Sequence, residues 1–120
     1  PDLRSPVEVP WRFAPKWEDL PEHHEGLGFS IRGGSEHGVG IYVSLVEPGS
    51  SAEREGLRIG DQIVTVNDLV FVIICHDEAV HILKTGHHLL MKVRDVGHER
   101  MQTQLLWWIL LILHLFSTEI

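Results

Sequence analysis

Gly26-Leu27-Gly28-Phe29 and His76 are the residues whose types and spacing could do chemistry, and that chemistry is binding rather than bond breaking. Gly26 and Gly28 carry no side chains to cover neighbouring backbone N–H groups, so a small anion can approach the amides of Leu27, Gly28 and Phe29. Leu27, Phe29 and Ile31 would stand beside that anion as an apolar wall. An anion seat next to an apolar pocket, opening onto a strand edge, suits the free C-terminus of a peptide.

A second group of residues, about 50 positions later, completes the pocket. Val80 and Leu83 follow His76 by four and seven positions, which places the three on one face of a helix. Packed across from the strand, that face would line a pocket with Leu27, Phe29, Ile31, Val80 and Leu83. His76 would stand further along the groove, where its imidazole could accept a hydrogen bond from Ser or Thr two positions before the peptide's end. Ser30 and Arg32, expected to face outward, would supply strand-edge and peripheral contacts.

These residues need a strand, a facing helix and a sheet to hold them. Phe29 to Arg32 alternates as a strand, and Gly33-Gly34-Ser35-Glu36-His37-Gly38 reads as a glycine-rich turn. The stretch from Gly40 to Val46 is expected to pair with the first strand. Ser50-Ser51-Ala52-Glu53 matches a capping box, and Gly56 marks the end of a helix of one or two turns. Gln62 to Val66 reads as another strand, ending at Asn67-Asp68. Val70 to Cys75 is too short an apolar run to assign by period. Asp77 and Glu78 in a first turn, Lys84 in a last turn and Gly86 beyond bound a helix opening at His76. His88 to Arg94 alternates as a closing strand. The N-terminal flank, residues 1–21, holds five of the six prolines. Val7-Glu8-Val9 and Trp11-Arg12-Phe13 alternate there as a strand that Pro10 confines to a sheet edge.

Composition excludes several functions. Ten Lys and Arg against 17 Asp and Glu give a formal charge of −7, which disfavours binding to nucleic acid phosphates. One cysteine, Cys75, cannot form an internal disulfide and fits a reducing compartment. Nine histidines invite a metal site, yet none is paired at His-x-x-x-His spacing, and His76 and His81 fall on different helix faces. No metal or other cofactor is expected, and no serine lies in a nucleophile-elbow context. A catalytic role is therefore not expected.

The C-terminal stretch differs in kind. Gln102 to Thr118 contains no Asp, Glu, Lys or Arg, and Leu105 to Leu113 is unbroken apolar sequence. Leu105–Phe116 is shorter than the roughly 20 residues a bilayer span needs. It could form a helix on the domain, an interfacial segment or an adhesive terminus. Beyond it, Ser117-Thr118-Glu119-Ile120 places Thr118 and Ile120 at the spacing His76 and the pocket should prefer. Those two residues are a possible internal ligand.

Gly26-Leu27-Gly28-Phe29, Leu57-Arg58-Ile59-Gly60-Asp61-Gln62-Ile63 and the Asn67-Asp68 turn resemble a PDZ domain over about residues 7–97. Gly28 to Gly38, His76-Asp77-Glu78-Ala79-Val80 and Asp95-Val96-Gly97 resemble more particularly the whirlin/harmonin/dyschronic family. The resemblance implies a mainly β (α+β) fold, a partly open β-barrel of five to six strands with two α-helices. It implies that Gly26, Leu27, Gly28 and Phe29 hold a ligand carboxylate, and that His76 selects Ser or Thr at ligand position −2. It also implies a cytoplasmic scaffold gathering the C-terminal tails of membrane or scaffold proteins at complexes of stereocilia, photoreceptor cilia or synapses. Two departures stand out. Glu22 replaces a basic residue common before the loop, with His23 and His24 as substitutes, and Asn67-Asp68 replaces the usual Asn-Gly.

The expected organisation is an N-terminal flank with an edge strand (1–21), a core domain (22–98) and an apolar tail (99–120). The expected function is recognition of class I C-terminal motifs, Ser/Thr-x-hydrophobic, by strand addition. Two alternatives come from other classes: a membrane-peripheral or self-associating module acting through 105–116, and a substrate-sensing domain of a larger protease.

Overall fold

Alternating apolar residues pair the strands into one antiparallel sheet, seen in a computed structural model that describes residues 11–22, 24–95 and 117–120. The strands are β1 (Trp11–Trp17), β2 (Phe29–Gly33), β3 (Ile41–Val46), β4 (Asp61–Val66), β5 (Leu69–Val70), β6 (Leu89–Asp95) and β7 (Thr118–Glu119). The helices are α1 (Ser51–Arg54) and α2 (His76–Thr85), and a 3-10 turn covers Ser35–His37. The sheet order is β1-β6-β4-β3-β2-β7, with β5 pairing off β4. Its two ends do not meet, so the barrel is partly open, as the sequence implies.

The N-terminal strand lies on a sheet edge, paired with β6. Pro15 lies within this strand and has no N–H to offer a ladder. The register shifts between Phe13 and Lys16 accordingly, leaving an extra residue in β1. Val7-Glu8-Val9 and Pro10 fall outside the described residues. Arg12 anchors β1 to the body: its guanidinium donates to Asp61 Oδ2 at 2.8 Å and to the Gly56 carbonyl at 3.0 Å. Asp61 opens β4 and is fully buried. Burial pushes its carboxyl above the usual range, and the Arg58 amide and the Arg12 charge oppose that rise.

The core runs from β2 through β3, β4 and β6, where Phe29, Ile31, Val43, Ile63 and Met91 are fully buried. Trp17 covers it at one side, stacked on Phe29 with centroids 6.0 Å apart. Asn67 and Asp68 form a two-residue hairpin turn between β4 and β5 with φ of 51° and 68°, the left-handed pair a tight hairpin needs. The run Val70 to Cys75 is mostly loop: Phe71 and Ile74 are buried, while Val72 and Ile73 face solvent. Half of the capping box forms as its sequence suggests, the Glu53 amide donating to Ser50 Oγ at 3.2 Å, while the Glu53 carboxylate accepts from the Gly49 amide at 2.9 Å. Among the described residues, no helix is long and apolar enough to cross a membrane.

One expectation about β2 is corrected. Ser30 does not face solvent but is buried, at 6% exposure. The β2 strand is interior, with β3 on one side and β7 on the other, and its pairing with β3 shifts register between Ser30 and Ile31. The extra residue of that shift, Ser44, belongs to β3, so Phe29 and Ile31 still point inward, and Ser30 lies between Leu45 of β3 and Glu119 of β7.

Candidate functional site: a groove between β2 and α2

The loop before β2 turns the Leu27 amide toward the groove, while its carbonyls are engaged elsewhere. The Leu27 carbonyl accepts from the Ala52 amide at 2.9 Å and the Gly28 carbonyl from Glu47 at 2.8 Å. Gly28 has φ of 95°, and a Cβ there would collide with the Ser50 side chain. Only glycine satisfies both demands. The loop is thereby clamped against the start of α1, leaving the Leu27 amide free to serve the groove.

The groove holds residues 117–120 of the same chain. β7 runs antiparallel to β2, with Ser30 opposite Glu119 and Ile31 opposite Thr118. The Leu27 amide donates to the Ile120 oxygen at 3.2 Å, and the Ile120 amide donates to the Phe29 carbonyl at 2.7 Å. The Ile120 side chain is 3% exposed and joins the apolar cluster containing Leu27, Phe29, Ile31 and Leu83, with Val80 half-buried against it. Removing an isoleucine side chain from water this way is worth about 1.5–3 kcal/mol.

His76 forms the other end of the groove. Its Nδ1 lies 2.8 Å from the Gly33 carbonyl and its Nε2 2.6 Å from Thr118 Oγ1. A carbonyl can only accept, so Nδ1 carries the proton in the neutral ring. Nε2 is then a bare acceptor facing the Thr118 hydroxyl, which donates to it. The sheet therefore fixes the tautomer, and the tautomer leaves Nε2 to accept from a donor in the groove.

Helix α2 begins at Cys75, whose side chain makes no cap hydrogen bond. The cap comes from 40 residues earlier, where the Glu36 carboxylate accepts from the His76 amide at 3.0 and 3.3 Å. A Cβ on Gly34 would meet both the Glu36 carboxylate and the His76 amide, so that glycine makes room for the cap. Desolvation pushes the Glu36 carboxyl up, but hydrogen bonds from the amides of Glu36 and His76, chief among the opposing effects, outweigh it. The net effect holds the group below its ordinary value of 4.5.

The expected site residues thus lie around one groove: Gly26 to Phe29 beside the Ile120 backbone, Leu27, Phe29, Ile31, Val80 and Leu83 around its side chain, and His76 beyond. Ser30 contributes through its backbone opposite Glu119, and Arg32 is half-buried opposite Tyr42 of β3. His24 donates from Nε2 to the Leu83 carbonyl at 3.2 Å, tying the loop to α2. His23 and the 105–116 segment fall outside the described residues.

Sequence reasoning missed Glu36 and Ser44, whose hydroxyl lies 3.2 Å from that of Ser117. The helix start left a signal, though not one that points to Glu36. Cys75 is a poor cap at a well-marked helix start, which implies an acceptor supplied from elsewhere.

The family model described as PDZ domain matches residues 16–103. The chain belongs to the PDZ family. This PDZ domain, a protein-interaction module, is 66% identical over 74 residues to whirlin of Homo sapiens, a match covering 62% of the chain and 8% of whirlin. It is 53% identical over 68 residues to PDZ domain-containing protein 11 of Danio rerio, covering 57% of the chain and 48% of that protein. The chain therefore spans under a tenth of whirlin. Among solved structures it resembles the second PDZ domain of Dlg1 from the choanoflagellate Monosiga brevicollis. The TM-score is 0.56 at 30% identity, over 68% of this chain and 97% of the other.

Proposed function

We propose that this PDZ domain recognises C-terminal segments of the form Ser/Thr-x-hydrophobic by strand addition to β2, as a non-catalytic scaffold module. Its partners would be tails of membrane or scaffold proteins, met in the cytoplasm at membrane-associated complexes of cell projections or synapses. The observation that carries the reading is the His76 ring, held by the Gly33 carbonyl so that Nε2 meets a hydroxyl at 2.6 Å. The Leu27 amide supports it as the donor for the terminal oxygen, and the cluster around Ile120 supports an aliphatic final residue.

Calorimetry with three peptides tests the proposal: one ending in Ser-Thr-Glu-Ile, its C-terminal amide, and a version with valine for threonine. Amidation removes a charge-assisted hydrogen bond and should cost about 1.5–3 kcal/mol. Valine at −2 should cost about 1 kcal/mol. Equal affinity for all three peptides would exclude the proposed mode.

A further inference from the structure

A groove built for a visiting C-terminus is filled here by the chain's own last residues. We propose that Ser117-Thr118-Glu119-Ile120 is a resident ligand, an intramolecular competitor that a partner's tail must displace. The inference rests on the class I reading of the groove.

The fit extends over four consecutive positions. Ile120 fills the pocket at 3% exposure, and Thr118 donates to His76. Glu119 pairs with Ser30 through the backbone while remaining exposed, as suits a position where any residue serves. Ser117 brings its hydroxyl to that of Ser44 on β3. This last contact lies outside the Ser/Thr-x-hydrophobic pattern, so it is a separate match between the segment and this domain.

The tether permits the return. From Asp95 to Ser117 is 22 residue steps, and an extended chain covers about 3.3–3.6 Å per residue, or roughly 75 Å. The longest axis of the domain is 45 Å. A tethered ligand that reaches its site acts at an effective concentration on the order of millimolar. Against an intrinsic affinity of about a micromolar, typical of a short peptide, the groove is closed most of the time. An added peptide then binds roughly 100- to 1000-fold more weakly than to an open groove.

Two substitutions in the 120-residue chain test this. Fluorescence anisotropy with a labelled Ser-Thr-Glu-Ile peptide would be measured on the unaltered chain, on Ile120→Asp and on Thr118→Ala. Ile120→Asp puts a charge where the pocket is apolar, and should tighten peptide binding by roughly 100-fold. Thr118→Ala is milder and also guards against a misfolded aspartate variant; it should tighten binding by about 5- to 10-fold. Equal, tight binding to all three chains would overturn the resident ligand and leave the groove reading standing. Absence of binding to every chain would overturn both. Sedimentation should find a monomer, whereas a dimer dissociated by Ile120→Asp would overturn the intramolecular form.

Discussion

The two ends of the groove are made of different materials. At the carboxylate end, Leu27 and its glycine neighbours present backbone, and the pocket beside them presents only apolar carbon. Any aliphatic C-terminus would satisfy that end. At the other end a single side chain, His76, faces the ligand, with its ring held by the Gly33 carbonyl and its amide by Glu36. Under the proposed function, affinity would come largely from the first end and choice from the second. On the proposed reading, selectivity would depend on two residues that the ligand never touches, Gly33 and Glu36, which fix one imidazole.

Substitutions at each end should separate the two contributions. Gly28→Ala should have the largest effect, because the residue sits at φ of 95° and the new Cβ meets Ser50. The left-handed backbone and the overpacking together should cost about 2–4 kcal/mol of stability. Peptides with threonine or valine at −2 should weaken alike. A selective loss would mean that the loop also reads the ligand's side chains.

Glu36→Gln should act at the other end, and more gently. Exchanging the carboxylate cap of α2 for an amide should cost about 0.5–1 kcal/mol in thermal unfolding at neutral pH. The carboxyl is held below its ordinary value of 4.5, so its stabilisation is present above that value and is lost as pH falls through the lower folded value. The difference between the two proteins should therefore vanish in acid. A difference that persists at pH 2 would show that the charge is not what holds the helix start.

The carboxylate end was the more legible in sequence. Gly26 and Gly28 flank their own amides within four residues, and the alternation of Phe29 and Ile31 identifies the strand they lead into. His76, Val80 and Leu83 were also readable, since helical spacing alone places them on one face. The supports of His76 were not. Glu36 lies in a segment that reads as an ordinary glycine-rich turn, and nothing local ties it to a helix 40 residues away. The burial of Asp61 is illegible for the same reason: its partner Arg12 lies 49 residues earlier, a pairing no local pattern records. The exposure expected of Ser30 failed because alternation within β2 does not record that strands flank it on both sides, with Leu45 and Glu119 opposite Ser30. Thr118 and Ile120 could be matched to the groove by type, while the contact of Ser117 with Ser44 required the geometry.

A double-mutant cycle between the protein and its ligand tests the central claim most directly. Peptides ending in Ser-Thr-Glu-Ile and Ser-Val-Glu-Ile would be titrated into the unaltered chain and into His76→Ala. Competition from the chain's own tail cancels within each protein, because it affects both peptides equally. The account predicts that the preference for threonine disappears in His76→Ala, a coupling of about 1 kcal/mol between the imidazole and the −2 hydroxyl. An undiminished threonine preference without the imidazole would contradict it.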